Sequence, residues 1–204
     1  MPYVTLTTLS GKTLYQGHHP TLCHAVEFAC ERNLNLDGID LSYSNLTSLN
    51  LDGVKIKGAN FQGANLTGSN LTESVFYNCN FEYSVMTDAC LCYSDFSQCN
   101  FKYSHWAGVD LAETSLENSS FSGFSTFLAS FAKAHKLERL TYKHADKSYV
   151  FSRPPTYLKT DNHEVAFLDN VMIYKGIPHT FDYKTPPQEM DKKLLSHIQS
   201  MVDF

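Results

Sequence analysis

From Leu36 onward a large apolar side chain falls at every fifth residue. The series runs Leu36, Leu41, Leu46, Leu51, Ile56, Phe61, Leu66, Leu71, Phe76, Phe81, Met86, Leu91, Phe96, Phe101, Trp106, Leu111, Leu116 and Phe121. A helix spaces its apolar residues by three and four and a strand by two, so neither explains a period of five. Two residues before each of these centres the side chain is usually small, as at Ala59, Ala64, Ser69, Ser74, Cys79, Ser84, Ala89 and Ser94. The residue between is polar and often asparagine, as at Asn45, Asn50, Asn60, Asn65, Asn70, Asn80 and Asn100. Two polar or turn-forming residues follow, frequently glycine.

Small, polar, large describes a three-residue extended segment whose first and third side chains face one way and whose middle one faces the other. The remaining two residues turn a corner, where glycine tolerates unusual dihedrals. Four pentads then close one square turn of about 20 residues, and successive turns stack as parallel strands roughly 4.8 Å apart. The large side chains fill the axis.

The stretch "ANFQG", "ANLTG", "SNLTE" resembles the pentapeptide-repeat family, whose consensus is close to Ala-Asp/Asn-Leu-x-x. The resemblance covers about half the chain. It implies a right-handed quadrilateral parallel β-helix, here of about five coils over 34–123, in an all-β dominated chain. It says little about function, since one fold hosts many roles.

The flanks depart from the repeat. "YVTLTTLSGKTLY" reads as a β-hairpin turning at Ser10-Gly11, and "TLCHAVEFACERN" as a helix capped by Thr21. Its Leu22, Ala25, Val26, Ala29 and Cys30 share one face. Together, 1–33 make an N-terminal cap for the apolar axis and open strand edges. Leu34, Ile39, Leu49 and Val54 stand where small residues belong, which predicts a wider or partly covered first coil. In 124–136, Phe124, Phe127, Leu128 and Phe131 fit a short capping helix, whereas Ala129 and Phe131 fit a distorted last coil. Residues 137–204 lose the repeat and read as a small α+β subdomain. It comprises two hairpins, "LTYKHADKSYVF" and "HEVAFLDNVMIYKG", and a helix from near Gln188.

The chain has 204 residues, 43% hydrophobic, and a net charge of −5, enough for one sizeable core or two small domains. No apolar run approaches the roughly 18 residues of a membrane span, and "MPYVTLTTLSGKTLYQG" lacks the features of a secretory signal. The expectation is a soluble cytoplasmic protein with reduced thiols and no membrane partner. Cys79 and Cys99 fall at the small inward position one coil apart, and Cys90 and Cys92 flank Leu91 pointing outward.

No phosphate loop, nucleophile elbow or His-Glu-x-x-His motif occurs, so the reading is a non-enzyme without cofactor or metal. His18 and His19 read as loop residues. His144, His163 and His179, with Asp161 or Glu164, form the one C-terminal set that geometry could assemble into a site.

The outer surface carries more information. Over 34–131 there are 10 acidic and 3 basic residues, a charge of −7. The face led by Leu51 holds Asp52, Glu73, Asp110 and Glu113 with no basic residue, and also displays Tyr93. On the Leu41 face, Tyr43, Tyr83 and Tyr103 project from one corner column, either as a contact surface or as stacking that stiffens the coil. These eight residues are the candidate partner-binding set. They point to a non-catalytic protein that binds, and inhibits, a protein partner with a basic groove, such as a DNA-acting or defence enzyme. Some members of the family resembled imitate duplex DNA and inhibit gyrase, which makes a DNA mimic the alternative. A structural or scaffold component is the third reading. Basic residues are too few and dispersed for direct nucleic-acid binding.

Overall fold

The computed structural model describes residues 1–159 and 164–180. The expected helix from Gln188, together with His163 and Asp161, lies outside them. As far as the turn that ends at Ser120, residues one turn apart pair in parallel at a spacing of twenty. Asp40 bridges Asn60, Asn60 bridges Asn80 and Asn80 bridges Asn100, and parallel series run from Asn45, Asn50 and Lys55. Four such series give the coil four sides. Short strands form where pairing is most regular: β3 (Lys55–Lys57) with β4 (Val75–Tyr77), and β5 (Asn100–Lys102) with β6 (Ser120–Ser122).

The pentad explains why each residue faces as it does. Every centre from Leu36 to Phe121 is buried, and Phe81 is wholly inaccessible. Phe61 stacks on Phe81 at 4.8 Å, Phe81 on Phe101 at 5.1 Å and Phe101 on Phe121 at 5.6 Å. A second column, Phe76 on Phe96 at 5.0 Å, meets the first edge-on. Two columns of rings, stacked within each column and edge-on or tilted between columns, fill the axis. The small residues before the centres close the backbone: the Ser94 hydroxyl donates to the Leu71 carbonyl at 2.7 Å, and Ser119 to Phe96 at 2.7 Å. The middle asparagines form ladders. Asn80 Nδ2 donates to Asn60 Oδ1 at 3.1 Å, and Asn100 Nδ2 to Asn80 Oδ1 at 3.0 Å.

The corners have one rule. The residue two after each centre has a positive φ at every step from Gly38 to Gly123, glycine or not. Glycine accepts this freely; other residues are strained there.

At the N-terminal end, β1 (Tyr3–Thr7) and β2 (Thr13–His18) form an antiparallel hairpin. The Asp40 amide donates to Thr7 O at 2.8 Å, joining the hairpin to the first coil. Helix α1 (Leu22–Glu31) follows, its His24 amide held by Thr21 Oγ1 at 3.1 Å. Ala25, Val26 and Ala29 are buried in the same core as Ile39 and Leu49, the large side chains at two inner positions. Leu34 instead remains exposed. His18 is no loop residue, since it ends β2; His19 lies in the connection to α1 as expected, but it is buried, with Nε2 2.7 Å from the Tyr15 hydroxyl and Nδ1 2.9 Å from His24 Nδ1.

At the C-terminal end the chain follows the distorted-coil alternative for 124–136, with Ala129 and Phe131 buried. Residues 124–136 form two short 3-10 turns, Ser125–Leu128 and Phe131–Lys133, rather than an amphipathic α-helix. They absorb one extra residue. Phe96 N donates to the carbonyl nineteen residues on, at Ser115, whereas Leu116 N reaches twenty residues on, to Lys136. In this slipped register the coil continues, and Leu137 and Tyr142 occupy the places above Leu116 and Phe121. β7 (Leu140–His144) therefore pairs in parallel with β6 and antiparallel with β8 (Lys147–Phe151), so the repeat passes into the hairpin without a break. Beyond it, β9 (Thr156–Lys159), β10 (Glu164–Leu168), β11 (Val171–Tyr174) and β12 (Ile177–Thr180) make a separate antiparallel sheet in the order β12-β11-β10-β9.

Candidate interaction surface

Tyr43, Tyr83 and Tyr103 stand on one edge of the coil, each at a left-handed corner, with φ of 55°, 59° and 59°. Their exposures are 74%, 53% and 49%. Tyr83 and Tyr103 stack at 5.1 Å with planes 10° apart. The missing members of the column, Gly63 and Gly123, are glycine, and neighbouring rings lie over them. A Cβ on Gly63 would meet the Tyr43 ring at 2.6 Å, and one on Gly123 would touch the Tyr103 ring at 3.6 Å. The edge is thus a nearly continuous aromatic strip. The sequence carried a signal for this, since both glycines fall at the twenty-residue spacing from a tyrosine.

The strip's border is close to neutral. On one side Lys102 pairs with Glu82 at 3.5 Å. Two residues after each tyrosine come Asn45, half-exposed Val85 and His105.

The second candidate surface stands elsewhere. Tyr93, at φ 57° and 64% exposed, shares a corner column with Glu73 and Glu113. Corners follow one another every five residues around four sides, so the Tyr93 column lies on the edge diagonally opposite the Tyr83 column. The eight candidates therefore divide into two separate surfaces.

The acidic face also differs from the sequence count. Lys133 Nζ lies 3.6 Å from Asp110, and His135 Nδ1 lies 3.5 Å from Glu113. Both basic residues come from the slipped coil. Slight burial opposes ionisation of Asp110, but the Ala112 amide, the Cys92 thiol and Lys133 outweigh it and hold its carboxyl below the ordinary value. Asp52 lines a cleft of about 750 Å³ between α1 and the first coil, together with Glu27, Glu31 and Asp37. Cys92 is buried rather than outward, with its Sγ 2.9 Å from that of Cys90, which remains half-buried.

The C-terminal polar set does not assemble among the described residues. His144 ends β7 in one sheet, while Glu164 and His179 lie in the other, where Glu164 pairs with Lys159 at 2.7 Å. Among the described residues no group of three or more His, Cys, Asp or Glu side chains could hold a metal ion. No described helix is long and apolar enough to cross a membrane.

Comparison with known proteins bears on the coil. Residues 58–126 match the family described as pentapeptide repeat region, and residues 32–63 match pentapeptide repeats (8 copies). No curated protein sequence matches the chain significantly. Among solved structures, a pentapeptide repeat protein from the Arabidopsis thaliana thylakoid lumen is 20% identical, with TM-score 0.45, over 52% of this chain and 71% of that one. A pentapeptide repeat protein from Nostoc PCC 7120 is 19% identical, with TM-score 0.43, over 53% and 87%. QnrB1, a plasmid-mediated fluoroquinolone resistance protein, is 17% identical, with TM-score 0.39, over 41% of this chain and 42% of its own length. The match thus spans less than half of QnrB1.

Proposed function

Residues 32–126 belong to the pentapeptide-repeat family, and from that premise we propose that this chain is a non-catalytic binding protein whose tyrosine edge contacts a protein partner. The observation that carries the reading is the placing of Tyr43, Tyr83 and Tyr103 at positive φ. Glycine or asparagine would relieve each corner of roughly 1 kcal/mol or more. A bulky, half-exposed side chain held where the backbone disfavours it points to use of the side chain itself. Tyrosine supplies rigid contact area at low entropic cost, as at the centres of protein interfaces. The near-neutral border favours a protein over a nucleic acid, which would demand a basic surface.

The proposal includes the geometry that the family implies: a right-handed coil of about five turns, closed by the hairpin and α1 at one end and by β7–β8 at the other. A rigid prism of this kind acts on a partner by covering it, so the reading extends to inhibition by occlusion, with a DNA-acting or defence enzyme as one class of target.

DNA mimicry has less support. Duplex DNA shows one charge per roughly 1.7 Å, about eleven over four coil steps. The Leu51 face offers Asp52, Glu73, Asp110 and Glu113, and the last two already face Lys133 and His135.

The test is affinity capture with three baits: the natural chain, a Tyr83→Ser/Tyr103→Ser double variant and an Asp110→Lys/Glu113→Lys double variant. The proposal expects the tyrosine variant to lose the captured protein and the charge variant to keep it. Loss from the charge variant alone would transfer the function to the acidic face.

A further inference from the structure

Each corner brings together the side chains that immediately precede and follow its centre. Thr47 Oγ1 donates to Asn45 Oδ1 at 2.7 Å, Thr67 Oγ1 to Asn65 Oδ1 at 2.6 Å and Thr72 Oγ1 to Asn70 Oδ1 at 2.6 Å. Ser97 and Asp95 repeat the contact on a third side of the coil. The convergence therefore belongs to the backbone of the corner and not to one residue type. At the corner of Leu91 both positions are cysteine, and the same geometry sets Cys90 Sγ and Cys92 Sγ 2.9 Å apart. A disulfide needs about 2.05 Å, so a side-chain movement of roughly 1 Å closes the bond.

We propose that Cys90 and Cys92 are a reversible redox pair, a Cys-Leu-Cys dithiol that hydroperoxides convert into a disulfide within one corner. Access and activation favour one order of events. Cys90 is half-buried and reachable, whereas Cys92 is only 8% exposed. Burial opposes ionisation of Cys90, yet hydrogen bonding from Cys92 outweighs it and lowers the thiol below its ordinary value. Burial first, and then Cys90 and Asp110, push Cys92 up to about 12. The reachable thiol is thus the readier thiolate, and the thiolate is the nucleophile.

The Cys90 thiolate attacks one peroxide oxygen, the O–O bond breaks, and the departing oxygen takes a proton to leave as water. Cys90 becomes a sulfenic acid. The Cys92 sulfur then attacks the Cys90 sulfur, displacing hydroxide, which takes up the Cys92 proton and leaves as a second water. Two thiols and one hydrogen peroxide give one disulfide and two waters. A dithiol reductant such as dithiothreitol reverses the step by thiol–disulfide exchange. Cys79 and Cys99, both buried at the axis, provide an internal control in the same chain.

The experiment exposes the full native chain to hydrogen peroxide, alkylates the remaining thiols in denaturant and maps the products by fragmentation mass spectrometry. The expected product links Cys90 to Cys92 and is two hydrogens lighter, with Cys79 and Cys99 alkylated and the link lost after dithiothreitol. Cys92→Ser should stop at a Cys90 sulfenic acid trapped by dimedone, and Cys90→Ser should leave Cys92 reduced. Full alkylation of both cysteines in the natural chain after peroxide, a link from either to another cysteine, or a sulfenic acid on Cys92 in Cys90→Ser would each overturn the proposal.

Discussion

The ring of Tyr43 occupies the space that a side chain on Gly63, one coil above, would need. Gly63 therefore serves two purposes, accepting φ of +63° and leaving room for the ring. Gly53 has a similar φ of +68° but nothing within 4 Å. Gly53→Ala should cost about 1 kcal/mol from backbone strain alone. Gly63→Ala should cost clearly more, and adding Tyr43→Ser should remove the excess. Urea unfolding of these three variants and of Tyr43→Ser alone makes the comparison; equal costs for the two glycines would place the Tyr43 ring elsewhere.

Tyr93 and Tyr83 share the same backbone strain but not the same neighbours. Among the described residues Tyr93 shows no ring partner, while Tyr83 stacks on Tyr103. Tyr93→Gly should raise stability by about 1 kcal/mol. Tyr83→Gly should gain less, because it also forfeits a stacked pair of roughly 0.5–1.5 kcal/mol. Thermal unfolding of both variants reads the difference, and an equal gain would mean that the stack contributes nothing.

Among the described residues, Ser84 Oγ is the buried side-chain polar atom without a hydrogen-bond partner. Ser94, at the equivalent inner place two pentads on, donates to Leu71 O and accepts from the Ser74 amide. A buried hydroxyl without a partner costs about 1–3 kcal/mol. Ser84→Ala should therefore stabilise the chain, and Ser94→Ala should destabilise it by about 1–2 kcal/mol. Denaturant midpoints with opposite signs are the expected outcome.

Lys136, in the slipped coil, donates to Glu117 at 2.6 Å. The hydrogen bond with Lys136 holds the Glu117 carboxyl below its ordinary value of 4.5, and the same bond raises Lys136 above 10.5. The carboxylate's contribution is complete above about 4.5 and fades as pH falls through the lowered folded value. The ammonium's contribution is complete below about 10.5 and fades as pH rises through the raised folded value. Glu117→Gln should flatten the acid limb of a stability–pH curve, and Lys136→Met should flatten both limbs. An unchanged acid limb in Glu117→Gln would remove the pair from the account.

The inner half of this molecule was legible because the axis allows no exceptions. Each centre from Leu36 to Phe121 must be large and apolar, and the structure buries every one. The last coil was not legible, because "FLASFAKAHKL" offers apolar residues in both the regular and the slipped register. Only the 3-10 turns decide between them, and they bring Leu137 and Tyr142 inward. The same slip set Lys133 against Asp110, so counting charge along the regular register overstated the acidic face. Cys92 was misplaced for a local reason: Thr47, Asp52, Lys57 and Tyr77 at the same place of the pentad are exposed, and Cys92 is buried beside Cys90, which the pentad alone does not show. The tyrosine column was visible from spacing alone, but its strain was not, since only coordinates give the sign of φ.

The most direct measurement is tyrosine footprinting of the chain alone and in complex with its captured partner, by limited iodination and mass spectrometry. Tyr93, on the opposite edge and equally solvent-facing, is the reference. The account predicts that Tyr43, Tyr83 and Tyr103 become protected in the complex while Tyr93 iodinates as before. Protection of Tyr93 with the three edge tyrosines unchanged would contradict it.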